Sequence, residues 1–509
     1  MKQQQQPWAT QVIKQDEIDK YHINNKHFID DTKILNDLKN TPKITHEKIK
    51  DILKKSLSIQ RLEPEEVAML LNVKDEKIWE ELYATADIVK KKVYDNRIVF
   101  FAPLYLSDKC INNCNYCGFK TDNILKPRKI LSDEEIQKEV AVIVAEGHKR
   151  VIAVYGEHPD SAIDYITHSM EQIYNVNHKN NSDIKGEIRR INVNAAPMSI
   201  EDLTKLKKAG IGTYQVFQET YHQKTYEKVH PQNTIKGNYE WRLYALHRAM
   251  DAGIDDFSLG VLLGLYDWRY EIMGLLYHAI DLENRFGIGP HTISFPRLRE
   301  AYGTDLSKNK YLVSDDDLKK IITILRLSVP YTGLIITARE EGDFKKECIN
   351  LGCTQTDAST RIDIGGYNQI AQEWETQPNK TNQQDNKKQQ FNLGDTRRID
   401  TVIRELATMG IISSFCTAGY RCGRTGDKIM RLLCTGVEGK YCKLNAILTF
   451  KEYLEDYASE ETKKTGEQLI LKEIKETKES EWYSSHKKIL EEFYNLYERI
   501  ENGERDLYI

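Results

Sequence analysis

The chain has 509 residues with 73 Lys and Arg against 77 Asp and Glu, and a formal net charge of −4 predicts neither nucleic acid nor an acidic membrane as a partner. No apolar window approaches the roughly 20 residues of a membrane-spanning helix, and the first residues lack the pattern of a secretory signal. We therefore expect a protein of the cytoplasm or of the matrix of a reducing organelle. Nine cysteines fit metal ligation in such a compartment better than a disulfide scaffold.

The first segment, residues 1–95, is expected to be a helical extension with no chemistry of its own. Apolar residues recur at helical spacing, for example at Ile49, Ile52 and Leu53. Pro64, which has acidic neighbours, is typical of the first turn of a helix. The backbone N–H that proline lacks has no helical partner in the first turn, and acidic side chains are favoured at the positive end of the helix dipole.

Residues 96–376 alternate between short apolar runs and longer stretches of helical periodicity. The apolar runs, which predict strands, are 98–106, 150–155, 190–195, 213–218, 256–265, 292–298, 333–338 and 354–358. The helix candidates lie near 133–146, 160–175, 200–208, 239–252, 269–286, 315–328 and 343–351. This alternation predicts an α/β fold, a parallel (β/α)8 barrel of the TIM type, in which the loops after the strands form the active-site mouth.

Two further segments follow the barrel. Residues 377–395 are polar and of low complexity, which predicts a mobile linker or a surface insertion. Residues 396–509 are expected to form a mostly helical C-terminal domain with a helix near 398–409 and a cysteine-containing stretch at 416–442. The charge runs near the end of the chain predict solvated helix faces.

The most informative motif is Cys110-x3-Cys114-x2-Cys117, directly after the first predicted strand. Thiolates favour iron–sulfur clusters or zinc, but a closed structural zinc site needs four ligands. Three cysteines can bind three irons of a cluster and leave the fourth open to a substrate or cofactor. The alternative is a structural metal site whose fourth ligand comes from a distant part of the chain.

Polar residues follow the second and fourth predicted strands. Gly156 permits close backbone approach, and Glu157 beside it can hold an ammonium group, although a simple turn is the alternative. Glu219, at the end of the fourth strand, can accept bonds from hydroxyls or an amine. Arg242 begins the next helix and can pair with a carboxylate as a planar fork, with a surface salt bridge as the alternative.

Two arginines follow the sixth predicted strand. Arg297 and Arg299 come shortly after Ser294, and an arginine at a barrel mouth suits the carboxylate of an amino acid. One arginine would suffice, and the other would then meet surface acids. Residues 337–341, after the seventh strand, form a second candidate polar rim.

The cysteine spacing resembles the signature of the radical S-adenosylmethionine (SAM) enzymes, in which an aromatic residue, here Tyr116, precedes the last cysteine. Within that superfamily the chain resembles the aromatic-amino-acid lyases, which include the thiazole-pathway tyrosine lyase ThiH and the iron–iron hydrogenase maturase family HydG. The segments that carry this resemblance are 217–222, 252–256, 264–267, 289–294 and 296–299. The maturase family alone shares the C-terminal extension, which this chain resembles at 416–426, 441–446, 452–457 and 505–508.

The resemblance implies a set of cofactors and site residues. A [4Fe–4S] cluster would be held by Cys110, Cys114 and Cys117, and SAM would bind its open iron. Residues expected to contact SAM are Tyr116, Gly156, Glu157, Asn194, Glu219 and Arg242. Residues expected to act on the substrate are Ser294, Arg297 and Arg299.

The resemblance also implies a reaction and its partners. SAM would be cleaved reductively, and a hydrogen atom would be taken from the amino group of L-tyrosine. The Cα–Cβ bond would then break to give p-cresol and dehydroglycine, which would pass down the barrel to a second cluster and become carbon monoxide and cyanide. The partners implied are an electron donor such as ferredoxin or flavodoxin and other hydrogenase maturation proteins.

The chain departs from the maturase pattern at the second iron–sulfur cluster. Cys416 and Cys442 stand at the first and third ligand places, but the second place is Gly419, which has no side chain. Three outcomes stay open. Cys422 substitutes after a local shift, two thiolates and another ligand hold a more labile cluster, or the site is altered or lost.

His291 precedes the sixth predicted strand and therefore lies near the barrel floor. The resemblance implies a histidine beside the second cluster that holds an extra labile iron, and imidazole binds iron well. Strand alternation argues against this role, because His291 shares its parity with Ile293 and Phe295, which should face the surrounding helices.

Two other functions are consistent with the sequence. A plain tyrosine lyase would deliver dehydroglycine to thiazole synthesis, and the missing thiolate at Gly419 keeps this alternative open. A scaffold that carries iron to a hydrogenase without turnover is a third possibility. The complete loop of Cys110, Cys114 and Cys117 argues against the scaffold.

Overall fold

The structure is a computed structural model that describes residues 7–124, 127–307, 309–376, 388–435 and 437–509. Residues 1–6 of the expected extension and 377–387 of the expected insertion lie outside the described residues. Within the described ranges, no helix has both the length and the apolar content that crossing a membrane requires.

Six helices precede the first strand in the described chain. They are α1 Pro7–Val12, α2 Asp16–Asp19, α3 Asp31–Lys39, α4 His46–Leu57, α5 Pro64–Leu71 and α6 Glu76–Tyr94. Pro64 occupies the first turn of α5 behind a capping box formed by Glu63 and Glu66. The apolar residues at helical spacing, such as Ile49 and Ile52, are buried in the core cluster that also contains barrel residues. The extension therefore packs directly on the barrel.

The described residues form nine strands. They are β1 Arg97–Ser107, β2 Arg150–Tyr155, β3 Arg190–Asn194, β4 Tyr214–Gln215, β5 Phe257–Gly260, β6 Thr292–Ser294, β7 Gly333–Ile336, β8 Gln355–Asp357 and β9 Ile412–Ser414. Strands β1 to β8 are paired in order and in parallel, and β1 pairs with both β2 and β8, which closes the barrel. The predicted fold class is confirmed.

Six of the eight barrel strands, β3 to β8, are shorter than the apolar runs that predicted them, and β5 and β6 are examples. β5 ends at Gly260 and β6 ends at Ser294. Beyond these points the chain makes isolated bridges, such as the one between Leu263 and Arg297. The apolar runs continue because the loops above the strands are also buried, so burial alone overestimates strand length.

Ten helices lie between β1 and the C-terminal region in the described chain. They are α7 Asp133–Ala145, α8 Ile163–Tyr174, α9 Ile200–Lys208, α10 Gln223–Val229, α11 Tyr239–Leu243, α12 Ala245–Asp251, α13 Trp268–Phe286, α14 Asp315–Ser328, α15 Gly342–Leu351 and α16 Gly366–Thr376. The helix expected at 239–252 is divided at Tyr244, which separates α11 from α12.

The C-terminal region continues the barrel sheet by one strand. β9 pairs in parallel with the start of β1, where Arg97 faces Ile412 and Val99 faces Ser414. The helices around β9 are α17 Ile399–Thr408, α18 Ala418–Arg421, α19 Gly426–Cys434, α20 Val437–Asp456, α21 Glu460–Glu479, α22 Glu481–Ser485 and α23 Lys487–Glu501. Main-chain pairing therefore joins this region to the amino-terminal end of the barrel.

A buried ion-pair cluster also fixes α20 to the barrel. Glu452 lies 2.9 Å from Lys149 Nζ and 2.6 Å from Arg189 Nη2. Burial favours the neutral form of Glu452, but the two cations outweigh burial and lower the pKa of this carboxyl to about 2. The acid is therefore ionised at neutral pH although its side chain is only 2% exposed.

Candidate active site and a second cysteine cavity

A cavity at the carboxyl ends of the strands contains most of the residues singled out in the sequence. Cys110, Cys114 and Cys117 line it together. The other predicted residues in its wall are Tyr116, Gly156, Glu157, Asn194, Glu219, Arg242 and Ser294. The structure therefore brings the predicted SAM contacts and the cysteine loop to one place, which we call the mouth cavity.

The three cysteines of the mouth cavity are chemically suited to an iron–sulfur cluster. Burial raises the pKa of the Cys110 thiol, and it raises that of Cys114 to about 12. These thiols stay protonated until a metal takes the place of the proton. Among the described residues no three His, Cys, Asp or Glu side chains stand at the spacing of a single-ion site. Three thiols of one loop can bind three irons of a [4Fe–4S] cluster, whereas a closed structural zinc site needs four ligands.

Glu219 forms ion pairs with two cations in the mouth cavity. Its Oε1 atom lies 2.7 Å from Lys236 Nζ and 3.3 Å from Arg242 Nη2. Burial opposes ionisation of Glu219, but the two cations outweigh burial and lower the pKa of this carboxyl. Its φ of 69° is left-handed, a strained conformation for a residue with a side chain. The backbone thus holds one carboxylate against two cations in the cavity.

Tyr116 is oriented by a buried histidine. Its hydroxyl lies 2.8 Å from His230 Nε2, and His230 Nδ1 lies 3.0 Å from the carbonyl of Tyr226. Burial lowers the pKa of His230, so the ring is neutral. Nδ1 must then donate to the carbonyl, and Nε2 accepts from Tyr116. This arrangement fixes the tyrosine ring beside Cys117.

Glu157 and Gly156 lie where the segment after β2 meets the cysteine loop. Asn112 donates to Glu157 at 2.5 Å, and burial raises the pKa of this carboxyl. A Cβ atom at Gly156 would lie 2.1 Å from the carbonyl oxygen of Lys109, so a side chain cannot fit there. Glycine is thus required for the close approach that brings Glu157 to the cavity wall.

The two arginines expected to bind substrate do not line the mouth cavity. Arg297 pairs with Glu340 and with Asp315, the latter at 2.8 Å, while Arg299 lies 2.7 Å from Glu340. Both line a neighbouring outer cavity, which shares Arg339 and Leu393 with the mouth cavity. Glu340, which follows β7, pairs with both guanidinium groups outside the mouth cavity, so a role of Arg297 and Arg299 in binding substrate stays a prediction.

Arg339, from the rim predicted at 337–341, occupies the place expected for those arginines. It lines the mouth cavity together with Ser294 and Thr337. Its guanidinium lies over the ring of Phe391, 3.3 Å from the ring centroid. Burial lowers the pKa of Arg339 to about 10, so it keeps its charge at neutral pH.

Lys236 and Gln390 are residues of the mouth cavity that the sequence analysis did not single out. Lys236 lies in a single 3-10 turn, and Gln390 lies in the polar stretch that predicted a linker. No periodic pattern or motif marks either position. Their place in the cavity depends on contacts between segments that are far apart in sequence.

A polar network occupies the barrel floor, below the mouth cavity. His291 Nδ1 lies 2.5 Å from Asp256 Oδ2, and Arg190 Nη2 lies 3.4 Å from the same oxygen. Arg190 Nη1 also donates to the carbonyl of Cys416 at 3.3 Å. Burial raises the pKa of Asp256, but His291 and Arg190 outweigh burial and lower it.

The orientation of His291 differs from the strand-alternation argument. Arg190 shares its parity on β3 with Asn194, which lines the mouth cavity, so its side chain points into the barrel. His291 contacts Asp256, the partner of Arg190, and therefore also faces the interior of the floor. Alternation fails here because His291 precedes β6 and is not part of its pleat.

Cys416 and Cys442 line a second, small cavity beside the floor. Gly419 lies in the same wall, with Arg424 and Asn445. Cys416 has a left-handed φ of 48°, again a strained value for a residue with a side chain. The sequence prediction that these two cysteines lie together is thus matched by the geometry.

Cys422 lies beside this second cavity but not in its wall. Its Sγ lies 3.7 Å from the carbonyl oxygen of Ile509, and it does not line the cavity wall. Among the described residues, a Cβ atom at Gly419 would meet only the Arg424 carbonyl oxygen, at an ordinary contact distance of 3.6 Å. The described cavity therefore offers two thiols and an open third place, which does not fit a cluster with three thiolates from this chain.

The similarity to known proteins extends over nearly the whole chain. The family model described as the radical SAM superfamily matches residues 104–276, and the Biotin and Thiamin Synthesis associated domain matches residues 294–412. A solved structure of HydG, a maturase of the [FeFe]-hydrogenase, is 44% identical, covers 95% of this chain and 100% of its own, and has a TM-score of 0.86.

Two other relatives support the same comparison. The structure of the FeFe-hydrogenase maturase HydG from Carboxydothermus hydrogenoformans is 33% identical, covers 96% of this chain and 98% of its own, and has a TM-score of 0.74. The 2-iminoacetate synthase of Salmonella typhimurium is 28% identical over 361 residues, which are 70% of this chain and 88% of that protein.

Proposed function

The chain belongs to the [FeFe]-hydrogenase maturase family HydG, within the radical SAM enzymes, and on this premise we propose that it cleaves the Cα–Cβ bond of L-tyrosine to give p-cresol and dehydroglycine. The observation that carries the proposal is one cavity that holds the cysteine loop, the Glu219 cluster and the cation of Arg339. Dehydroglycine is 2-iminoacetate, the product named for the Salmonella relative.

One half of the mouth cavity is suited to SAM. Cys110, Cys114 and Cys117 would hold the [4Fe–4S] cluster, which supplies the electron that cleaves SAM when it is bound. Arg242 is placed to pair with the SAM carboxylate, and Glu219 to accept from the ammonium or the ribose hydroxyls. Since Glu219 already binds two cations, SAM would exchange partners with existing ion pairs and would not bury new uncompensated charge.

The other half of the cavity is suited to an aromatic amino acid. Arg339 would hold the tyrosine carboxylate, an ion pair that is strong because the site is buried. Ser294 and Thr337 offer hydroxyls beside it, and apolar side chains such as Ile335 and Phe391 would pack on the ring. A fixed carboxylate would orient the amino group for loss of its hydrogen atom. After Cα–Cβ cleavage the p-hydroxybenzyl fragment takes one electron and one proton to become p-cresol.

The proposal extends to carbon monoxide and cyanide, which the family resemblance implies as later products. An electron donor such as ferredoxin or flavodoxin and other hydrogenase maturation proteins are the proposed partners. The cavity of Cys416 and Cys442 is the proposed location of this later chemistry, with His291 as the proposed ligand of an extra iron. The open third place at Gly419 is where this chain departs from the family pattern.

A second candidate is a tyrosine lyase whose dehydroglycine serves thiazole synthesis. Gly419 favours this candidate, because the reaction at the mouth needs no cluster at the floor. The two candidates share the mouth chemistry and differ only in the fate of dehydroglycine.

The test uses the full chain, reconstituted without oxygen and incubated with SAM, dithionite and L-tyrosine. We expect p-cresol and 5′-deoxyadenosine, and neither product from Cys114→Ala. The lyase proposal fails if the wild-type protein binds a cluster but forms no p-cresol, which would leave the iron-carrying scaffold. Trapped carbon monoxide and cyanide would support the maturase function, and their absence beside abundant p-cresol would support the thiazole-type lyase.

A further inference from the structure

Residues 388–394 lie across the barrel mouth and form what we call the strap. The main chain is fixed at both ends, because Gly118 donates to the carbonyl of Gln390 at 3.0 Å and Gly394 donates to the carbonyl of Ala338 at 2.7 Å. The sequence predicted a linker or a surface insertion here. The strap instead joins the cysteine loop to the segment after β7.

The strap makes its closest approach beside the last cysteine of the loop. A Cβ atom at Gly118 would lie 2.7 Å from the carbonyl oxygen of Gln389 and 2.8 Å from that of Gln390. Backbone oxygens cannot move aside as the end of a long side chain can. A glycine next to Cys117 therefore permits the strap to rest directly on the loop.

Gln390 contacts the thiol of Cys117 through its carboxamide. Gln390 Nε2 donates to Cys117 Sγ at 3.5 Å, and Gln390 Oε1 accepts from the Tyr105 hydroxyl at 3.0 Å. In this orientation the NH2 group faces the sulfur, and a cysteine thiolate, which can only accept, selects the same end of the amide. Sulfur also accepts from the backbone N–H of Phe119 at 3.4 Å.

Two further strap residues close the cavity on the substrate side. Phe391 lies against the guanidinium of Arg339, and Leu393 lines the cavity wall. The strap thus presents one side chain to the proposed cluster and two to the proposed substrate site. It also packs beside Cys117, which is only partly exposed, and reduced access of water would strengthen a hydrogen bond to that sulfur.

We propose that Gln390 is a positioning residue that donates a hydrogen bond to the cluster thiolate of Cys117 and thereby favours the reduced state of the cluster. The inference rests on the proposed function, because it requires Cys117 to be a cluster ligand. Hydrogen bonds to ligand sulfurs and solvent exposure are among the factors that set the potentials of iron–sulfur clusters. The reduced cluster carries more negative charge, so an N–H donor stabilises it more than the oxidised form.

The experiment is a potentiometric titration of the reconstituted full-length protein, followed by electron paramagnetic resonance. In Gln390→Leu we expect a midpoint potential more negative than that of the wild type, with severalfold less reduced cluster at a fixed potential. Gln390→Glu should shift it further, because it replaces the donor with an anion. Tyr105→Phe should shift it less, because the amide keeps its donor but loses its orientation. Asn392→Ala is the matched control, since Asn392 lines the outer cavity and not the mouth.

A second measurement uses the chain without its cluster, so it decides the matter if a variant does not take up iron. Iodoacetamide alkylation of Cys117 should be severalfold slower in Gln390→Leu than in the wild type, because leucine fills a similar space but loses the N–H that stabilises the reacting thiolate, with the exposed Cys434 as internal reference. Unchanged alkylation and, where a cluster forms, an unchanged potential in both Gln390 variants would overturn the inference. A wild-type protein that binds no cluster on Cys110, Cys114 and Cys117 would instead refute the proposed function.

Discussion

Arg242 Nη2 lies 3.3 Å from Glu219 Oε1, the oxygen that Lys236 also binds at 2.7 Å. One carboxylate therefore balances two buried cations. We expect Glu219→Gln to lower the free energy of unfolding of the cluster-free chain by about 3–5 kcal/mol, because it leaves both cations uncompensated. SAM affinity of the reconstituted protein should fall as well. Urea unfolding and isothermal titration with SAM measure the two effects.

The matched control for Glu219 is Glu227→Gln, which removes the same charge from an exposed position on α10. This variant should stay within about 0.5 kcal/mol of the wild type. Equal stability of both variants would show that the Glu219 cluster does not support the fold. Unchanged SAM affinity in Glu219→Gln would remove it from the proposed SAM site.

Arg339 and Arg299 distinguish the site found in the structure from the one expected from the sequence. We expect Arg339→Met to lower kcat/KM for tyrosine roughly tenfold to a hundredfold, because a hydrogen bond to a charged group contributes about 1.5–3 kcal/mol. 5′-Deoxyadenosine should still form, since SAM does not depend on this residue. Arg299→Met should leave p-cresol formation close to the wild type. The reverse result would restore the sequence-based assignment.

Gly419→Cys tests the open place in the second cysteine cavity. A side chain fits there, since within the described part of the chain its Cβ meets only the Arg424 carbonyl oxygen at 3.6 Å. We expect the variant to bind more iron and sulfide per chain than the wild type without loss of stability. Iron and sulfide analysis of the anaerobically reconstituted proteins measures this.

Cys422→Ser provides the control for Gly419→Cys. Because the Cys422 thiol points to Ile509, the replacement should leave the iron content unchanged. A clear loss of iron in Cys422→Ser would mean that Cys422 turns toward the cavity and substitutes for the missing ligand. Equal iron content in Gly419→Cys and the wild type would show that a thiolate at position 419 is not the ligand that limits iron binding.

Glu452 should make the free energy of unfolding fall at acidic pH. Its folded pKa of about 2 lies below the value of about 4.3 in an unfolded chain, so its contribution is full above pH 4.3 and is lost as the pH falls toward 2. The shift of roughly two units corresponds to about 3 kcal/mol at neutral pH. We expect Glu452→Gln to be destabilised by at least this amount at pH 7, with a difference that shrinks below pH 4.3.

Urea unfolding at several pH values measures the effect of Glu452. Glu498→Gln, on an exposed part of α23, is the control and should be close to the wild type at every pH. A difference between Glu452→Gln and the wild type that does not change with pH would mean that Glu452 acts through packing and not through its charge.

The sequence predicts the site best where functional residues follow a strand that a periodic apolar pattern marks. The loop from Cys110 to Cys117 and the polar residues at strand ends were predicted because a parallel barrel collects such residues at one mouth. The sequence does not distinguish Arg297 from Arg339 as the arginine of the mouth cavity, because the choice depends on where Glu340 points. That direction is set by packing and leaves no pattern in the sequence.

The strap and β9 were not predicted for related reasons. Gln390 reaches Cys117 across 273 residues of sequence, and a polar stretch gives no sign of such a contact. β9 has three residues, too few for a periodic signal, and pairing with β1 alone defines it. Long-range contacts and very short strands therefore leave no pattern in the sequence from which they could be predicted.

β1 has 11 residues and spans roughly 36 Å at about 3.3 Å per residue. Its first residues pair with β9, which leads to Cys416, and its last residue leads to Cys110. The length of this one strand therefore sets the distance between the two cysteine sites. Lengthening or shortening it would move one site against the other, so the length of the proposed path of dehydroglycine would be set by backbone geometry.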